Sequence, residues 1–179
     1  MSEKYRSFHF TNREIAMLAA FSVLLLSVDL IWILGPILGN IIYGIIDGII
    51  LITAAIVIGR RYTVLNLGII RTIVEIFIAG AFVGTLTAFD YLVSALVLET
   101  ILQFSTPYAA NLRINVLGMT LYGLVTRLMF ITISVFIYGM ILPLWLMLFM
   151  IIVPVITYAI GGFIGHGVGN RVKNTVTAI

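Results

Sequence analysis

Six long apolar segments constrain this sequence more than any other feature. Turn or charged residues separate them, and they cover residues 14–35, 38–58, 62–81, 86–106, 115–140 and 144–170. A helix needs about 20 apolar residues to cross a bilayer, so each segment predicts one spanning helix. We therefore expect an all-α, polytopic membrane protein in which residues 1–179 form a single integral membrane domain, a bundle of six transmembrane helices.

The composition excludes most soluble and enzymatic classes. Hydrophobic residues make up 62% of the chain and charged residues 9%, whereas soluble domains are roughly half apolar and a quarter charged. The chain has no cysteine, which excludes thiolate metal sites and thiol catalysis. It also lacks the P-loop, HExxH and GxSxG motifs. We expect a protein of the lipid bilayer that is not an enzyme and has no metal, no cofactor and no nucleic-acid partner.

Basic residues predict the orientation of the bundle. Membrane proteins concentrate Lys and Arg in short cytoplasmic loops. Here the basic residues outside the spans lie at the two termini and in the second and fourth loops: Lys4, Arg6, Arg13, Arg60, Arg61, Arg113, Arg171 and Lys173. The other three loops contain no Lys or Arg. Six spans place both termini on the same side, so both are expected in the cytoplasm.

Charged residues inside the apolar segments are the candidate functional residues. They include four acidic and two basic residues: Asp29, Asp47, Glu75, Glu99, Arg71 and Arg127. Charge in hydrocarbon is costly, so such groups face the bundle interior and mark solute or ion pathways. The excess of acids predicts that protons or a cationic ligand bind there. Arg71 and Glu75 are spaced i and i+4, which also permits a purely structural pair.

Polar and aromatic residues accompany these charges. Asn40, Tyr43 and Asp47 share one face of the second helix because they are spaced i, i+3 and i+7. Tyr43 and Trp32 could stack on an aromatic or cationic ligand. Phe89, Tyr91, Tyr122 and Phe130 are further aromatic faces available to a cation. The alternative for the aromatic residues near the outer helix ends is an interfacial belt, which Trp32, Tyr91 and Trp145 would fit.

Small residues recur at four-residue spacing on the first and last helices. Ala16 and Ala20 lie on the first helix, and Gly161, Gly165 and Gly169 lie on the last. Such faces let another helix approach closely in lipid. Spacing alone favours packing within the chain and leaves docking of a partner open.

Several short motifs together resemble those of one family. They are Ala16-Met17-Leu18-Ala19-Ala20, Gly35-Pro36-Ile37, Tyr43-Gly44, Val74-Glu75 and Glu99. With these motifs the chain is similar to the substrate-binding S components of energy-coupling factor (ECF) importers, in the branch associated with thiamine or its hydroxymethylpyrimidine precursor. The resemblance covers residues 13–105, with helix pattern alone beyond them. Asn40 stands where the branch has an acidic residue, and Asp47 is expected to replace it.

The resemblance implies a vitamin-binding subunit in the plasma membrane of a prokaryotic cell. It would associate with a transmembrane coupling subunit and two ATPase subunits through Ala16, Ala20, Gly161 and Gly165. We expect the substrate-binding residues to be Glu75, Glu99, Asp47, Asn40, Tyr43, Arg127, Trp32 and Asp29, whereas Arg71 is expected to be structural. Three alternatives stay open: an S component for another vitamin, an ion-coupled secondary carrier of a small cation or vitamin, and an assembly subunit that transports nothing.

Overall fold

The computed structural model describes residues 10–34, 36–79 and 85–177, and every regular element in these ranges is helical. Six α-helices correspond to the six apolar segments: α1 (Asn12–Val28), α2 (Pro36–Ile58), α3 (Thr63–Ala79), α4 (Phe89–Leu102), α5 (Leu112–Thr132) and α6 (Leu144–Thr177). Short 3-10 segments, Asp29–Leu34 and Thr85–Ala88, follow α1 and precede α4, and a π-helical turn, Ile133–Ile137, ends α5. The all-α prediction is therefore confirmed for the described residues.

Helix boundaries differ most from the predicted segments at the ends of four helices. The α-helical parts of α1 and α5 end at Val28 and Thr132, before residues 35 and 140, and α4 ends at Leu102 instead of residue 106. The last helix continues to Thr177, seven residues beyond its predicted end. Apolar composition alone cannot distinguish an α-helix from the 3-10 and π-helical segments that follow α1 and α5, whereas a turn follows α4.

Five described helical stretches are long and apolar enough to cross a membrane: Asn12–Ile31, Leu38–Ile58, Thr85–Leu102, Leu112–Ile137 and Leu144–Val176. The exterior of the bundle is apolar as well, since Phe77, Phe136 and Ile141 are each more than four-fifths exposed. Both observations suggest a membrane-embedded protein. Helix α3 has 17 residues and is not among the five, so the six-span count stays a prediction.

One end of the bundle gathers basic residues, and we call it the basic end. Arg60 Nε donates to Glu14 Oε1 at 2.6 Å, and an Arg13 guanidinium nitrogen donates to the Val176 carbonyl at 3.2 Å. These contacts bring together the start of α1, the turn between α2 and α3, and the end of α6. The chain therefore runs back and forth, so the end of α1, the end of α3 and the start of α4 lie at the opposite end.

Glycines let α6 lie directly against α2. A Cβ atom added at Gly161 would lie 2.5 Å from the Ile45 carbonyl oxygen and 3.0 Å from Gly48 Cα, and one at Gly165 would lie 3.0 Å from Ile49 Cα. The two helices thus meet backbone to backbone, the close packing that small residues permit in lipid. Gly161 and Gly165 are buried by this contact and offer no exposed surface to a partner.

The first helix uses its small residues differently. Ala16 and Ala20 are both exposed, as is Ala19 between them. Helix α1 packs on α2 and α3 through its other side, where Leu18 and Leu25 are buried. Of the four residues expected to dock a partner, only the two alanines lie on an open surface of the described structure.

Substitution of Gly161 tests the backbone contact between α2 and α6. Gly161→Ala places a methyl group against backbone atoms that cannot rotate away, and such overpacking costs about 1–3 kcal/mol. We expect a lower melting temperature for the detergent-purified variant. Gly167→Ala is the matched control, because no heavy atom lies within 4 Å of its added Cβ. Equal stability of the two variants would contradict this packing.

Candidate solute-binding site

Arg71, in the middle of α3, is the centre of a buried polar cluster. Its side chain is 2% exposed. One terminal nitrogen donates to Asp47 Oδ1 on α2 at 2.5 Å, and the other donates to Asp29 Oδ1 and to the Tyr43 hydroxyl. Arg71 therefore joins α3 to the end of α1 and to α2. The i, i+4 spacing predicted Glu75 as its partner, but its ion pairs in the structure are with Asp29 and Asp47.

Two tyrosines present their rings to the guanidinium. The Arg71 Cζ atom lies 4.2 Å from the centre of the Tyr91 ring and 5.4 Å from that of Tyr43, distances at which cation–π attraction acts. The Tyr43 hydroxyl donates to Asp29 Oδ1 at 2.9 Å. Since its only proton is used there, Tyr91 must donate in the 2.9 Å contact between the two hydroxyls. The cation thus lies among carboxylate oxygens and aromatic faces.

Further charged groups surround this centre. Glu75, one turn after Arg71, lies beside Asp29, and Asp90 in the first turn of α4 lies near Arg127 and Glu75. We call the whole set the acidic cluster: Asp29, Asp47, Glu75 and Asp90 with Arg71 and Arg127. It has four carboxyl groups and two guanidinium groups. The sequence predicted an excess of two acids from a different set, which included Glu99 and did not include Asp90.

Burial is uneven across the acidic cluster. Asp47, Asp90 and both arginines are buried, whereas Asp29 and Glu75 are partly exposed. The less buried side of the cluster is therefore that of Asp29 and Glu75, which lie towards the end of the bundle opposite the basic end.

Several oxygen atoms of the acidic cluster are left without hydrogen bonds. Among the described residues, Asp29 Oδ2, Asp47 Oδ2 and Asp90 Oδ1 are buried and have no hydrogen-bond partner. The Tyr158 hydroxyl faces Asp47 without a hydrogen bond of ordinary geometry. Buried carboxylate oxygens without partners are unfavourable unless a proton or another cation reaches them. The cluster is therefore suited to binding positive charge.

Glu99 lies elsewhere, at the start of α3. Its carboxylate accepts from the backbone nitrogens of Tyr62 at 2.6 Å and Val64 at 3.2 Å, two of the donors that a helix start leaves without partners. Val64 precedes Arg71 by seven residues, or about 10 Å along the helix axis. Glu99 was expected near the middle of its helix beside the other acids, but the structure places it in the last turn of α4, towards the basic end.

The Tyr108 side chain completes the surroundings of Glu99. Its hydroxyl donates to Glu99 Oε2 at 2.8 Å. Burial raises the pKa of Tyr108 well above its usual range, and the Glu99 carboxylate raises that pKa further. The hydroxyl therefore keeps its proton and remains a donor. Gln103 also contacts Glu99, at 3.4 Å, so this carboxylate already has its partners within the chain.

Most of the other predicted site residues are buried, and one lies outside the described residues. Asn40, Tyr43 and Asp47 are all buried, as their shared helix face predicts, and Arg127 lies beside Asp90. The side chain of Trp32 falls outside the described residues. A metal site is not evident in the described ranges, which contain no suitable group of three His, Cys, Asp or Glu side chains.

Two residues near Arg71 were not among the predicted site residues. Asp90 was not counted among the candidate charges, and Tyr91 fitted an interfacial belt, because both lie near the start of a spanning segment. Asp90 is in fact buried, and Tyr91 lies over Arg71. The i, i+4 spacing of Asp90 and Ser94 on α4 was an available signal of an inward polar face.

Comparison of the chain with protein-family models, curated proteins and solved structures found no match.

Replacement of Glu99 separates a structural role from a role in solute binding. Glu99→Gln removes the charge that strengthens the hydrogen bonds to the start of α3, and we expect a loss of about 1–3 kcal/mol in stability. Thermal unfolding of the purified variant measures this loss, with Thr100→Ala, on the exposed side of the same turn, as the control. An unchanged melting temperature together with lost solute affinity would instead place Glu99 in the binding site.

Proposed function

We propose that this protein is the solute-binding membrane subunit of an importer and that the acidic cluster is its binding site. The observation that carries the proposal is that the acidic cluster has two more carboxyl groups than guanidinium groups and three buried carboxylate oxygens without hydrogen-bond partners, around a cation that lies against two tyrosine rings. Charge buried at this depth is maintained where it serves a solute or ion pathway. A purely structural pair needs no such excess.

The proposed orientation opens the site to the outside. Arg13, Arg60 and the end of α6 meet at the basic end, which the positive-inside rule assigns to the cytoplasm. Asp29 follows Asn12 by 17 residues of helix, about 25 Å along its axis. With six spans and cytoplasmic termini, the acidic cluster faces the outer side of a prokaryotic plasma membrane.

The proposed ligand is thiamine or its hydroxymethylpyrimidine precursor. The chemical support is a site for positive charge that also presents aromatic faces, since thiamine carries a permanent positive charge on one of its two rings. The family support is the resemblance to thiamine-type S components in the motifs around Tyr43 and Glu75. An S component for another vitamin would keep the same architecture with different contacts.

The proposed partners are a transmembrane coupling subunit and two ATPase subunits. The sequence has no P-loop motif, so energy from ATP would have to come from another chain. Ala16 and Ala20 are exposed on α1 and form the small face through which a helix of the coupling subunit would approach. Gly161 and Gly165 are left out of this proposed surface because α2 covers them.

A second candidate function is an ion-coupled carrier. The observation that favours it is the contact between the carboxyl groups of Asp29 and Glu75, since two adjacent carboxyl groups can hold a proton or a small cation between them. A carrier takes up solute alone when reconstituted in liposomes under an ion gradient. The proposed importer subunit binds solute under those conditions but does not accumulate it without ATPase partners.

Thermal unfolding with added thiamine tests the proposed function. A ligand that binds only the folded state stabilises it by about 2.7 kcal/mol at 100 times its dissociation constant, so we expect a clear rise in melting temperature. Glu75→Gln removes one carboxylate beside Asp29 and should reduce this rise. Glu14→Gln is the matched control, because Glu14 pairs with Arg60 at the basic end.

The outcomes of that experiment separate the proposals. Equal effects of Glu75→Gln and Glu14→Gln would contradict the placement of the site. A rise with a different vitamin, reduced in Glu75→Gln, would keep the importer function and change the ligand. The absence of any vitamin response would contradict the importer proposal.

A further inference from the structure

We propose that Arg71 is a tethered occupant of the binding site: its guanidinium takes the place of the solute's charged group, and solute entry displaces it. This inference rests on the proposed function, because it concerns the same site. It changes the role of Arg71 from the structural one expected from the sequence to that of a competitor whose release accompanies binding.

The Arg71 guanidinium already contacts the groups that a cationic solute would need. Its terminal nitrogens contact Asp29, Asp47 and Tyr43, and the Tyr91 ring lies 4.2 Å from its Cζ atom. A cationic solute would seek these same groups, namely paired carboxylates and an aromatic face. A solute that takes the Oδ1 atoms and the Tyr91 face therefore competes with Arg71 for them.

The free oxygens allow an exchange in steps. Arg71 contacts only the Oδ1 atoms of Asp29 and Asp47, and the Oδ2 atom of each has no partner among the described residues. An arriving cation can therefore bind the Oδ2 atoms while Arg71 still holds the Oδ1 atoms. The Tyr158 hydroxyl, fully buried on α6 and facing Asp47, is a further unused polar group for the solute.

Glu75 provides a destination for the displaced side chain. It is spaced i+4 from Arg71, the separation at which two side chains on a helix meet. In the present structure Glu75 lies beside Asp29 and has no ion pair with Arg71 among the described residues. The pair that the sequence spacing suggests would then form in the solute-bound state, so that Arg71 never lacks a counter-ion.

Competition of this kind also gives selectivity for charge. A neutral solute does not replace the guanidinium in its contacts with Asp29 and Asp47, so Arg71 stays in place and excludes it. A cationic solute, in contrast, forms contacts with the carboxylates of both Asp29 and Asp47 when it enters the site. Of the two proposed ligands, the site would thus favour thiamine, which carries a permanent positive charge, over the hydroxymethylpyrimidine precursor, which does not.

Substitution of Arg71 tests the inference directly. If Arg71 occupies the site in most molecules, apparent affinity is reduced by the fraction of sites that are open. Arg71→Gln should therefore bind thiamine about ten-fold or more tightly than the wild type does, measured by calorimetry on detergent-purified protein. Arg71→Lys keeps the charge needed for folding but loses the planar fork, and we expect a smaller gain in the same direction. Arg60→Gln, at the basic end, is the control and should leave the affinity unchanged.

Weaker or unchanged binding by both Arg71 variants would overturn the inference, because an arginine that helps to hold the solute cannot be its competitor. Binding of thiamine by the wild type would at the same time keep the proposed function. The two proposals therefore fail separately in this experiment.

A second measurement needs no vitamin. Arg71→Ala leaves the carboxylates and tyrosine rings without their cation, and about 5 mM guanidinium chloride should restore part of the lost thermal stability by binding in its place. Sodium chloride at equal concentration and the wild-type protein serve as controls. Rescue by guanidinium alone would support the part of the inference that an external cation can take the place of Arg71, whereas equal effects of both salts would contradict it.

Discussion

The burial of Arg71 among carboxylates is the interaction on which the rest of this structure depends. Removal of a guanidinium from water costs several kcal/mol even in relaxed proteins, and hydrogen bonds and opposite charge must offset it. Asp29 and Asp47 supply the opposite charge and accept from the two terminal nitrogens of Arg71, whereas its buried Nε has no hydrogen-bond partner among the described residues. Because these partners lie on different elements, α1, α2 and α3 must keep their relative positions for the charge to remain inside the bundle.

The packing of α2 provides the rigid support for that arrangement. Its polar face presents Tyr43 and Asp47 to the acidic cluster, and its glycine face receives α6 at backbone contact. Helix α2 thus lies between the most tightly packed interface and the most strongly charged region. Binding of a solute at Asp47 would therefore act on a helix that is fixed on its other side, which favours movement in α1 and α3.

The sequence was sufficient to predict the helices and the burial of Asp47, Arg71 and Arg127, because apolar length and charge in hydrocarbon are strong constraints. It was insufficient to predict which side chains pair with each charged residue. Local spacing suggested Glu75 for Arg71, but the tertiary fold supplied Asp29 and Asp47. Glu99 was expected among the other acids, but it accepts hydrogen bonds at the start of α3. Local sequence could not predict this contact, because it depends on how α3 packs against α4. Tyr91 and Asp90 were missed because depth along a segment does not indicate which way a side chain faces.

Calorimetric titration of the purified protein with thiamine, with wild-type and Asp47→Asn proteins compared, tests the central claim most directly. Asp47 is fully buried and has one oxygen without a partner, so its charge belongs to the proposed site and to no surface interaction. The account predicts saturable binding of one cation per protein molecule by the wild type and a large loss of affinity in a folded Asp47→Asn variant. Equal affinities in the two proteins, or no binding of a cationic solute by the wild type, would contradict it.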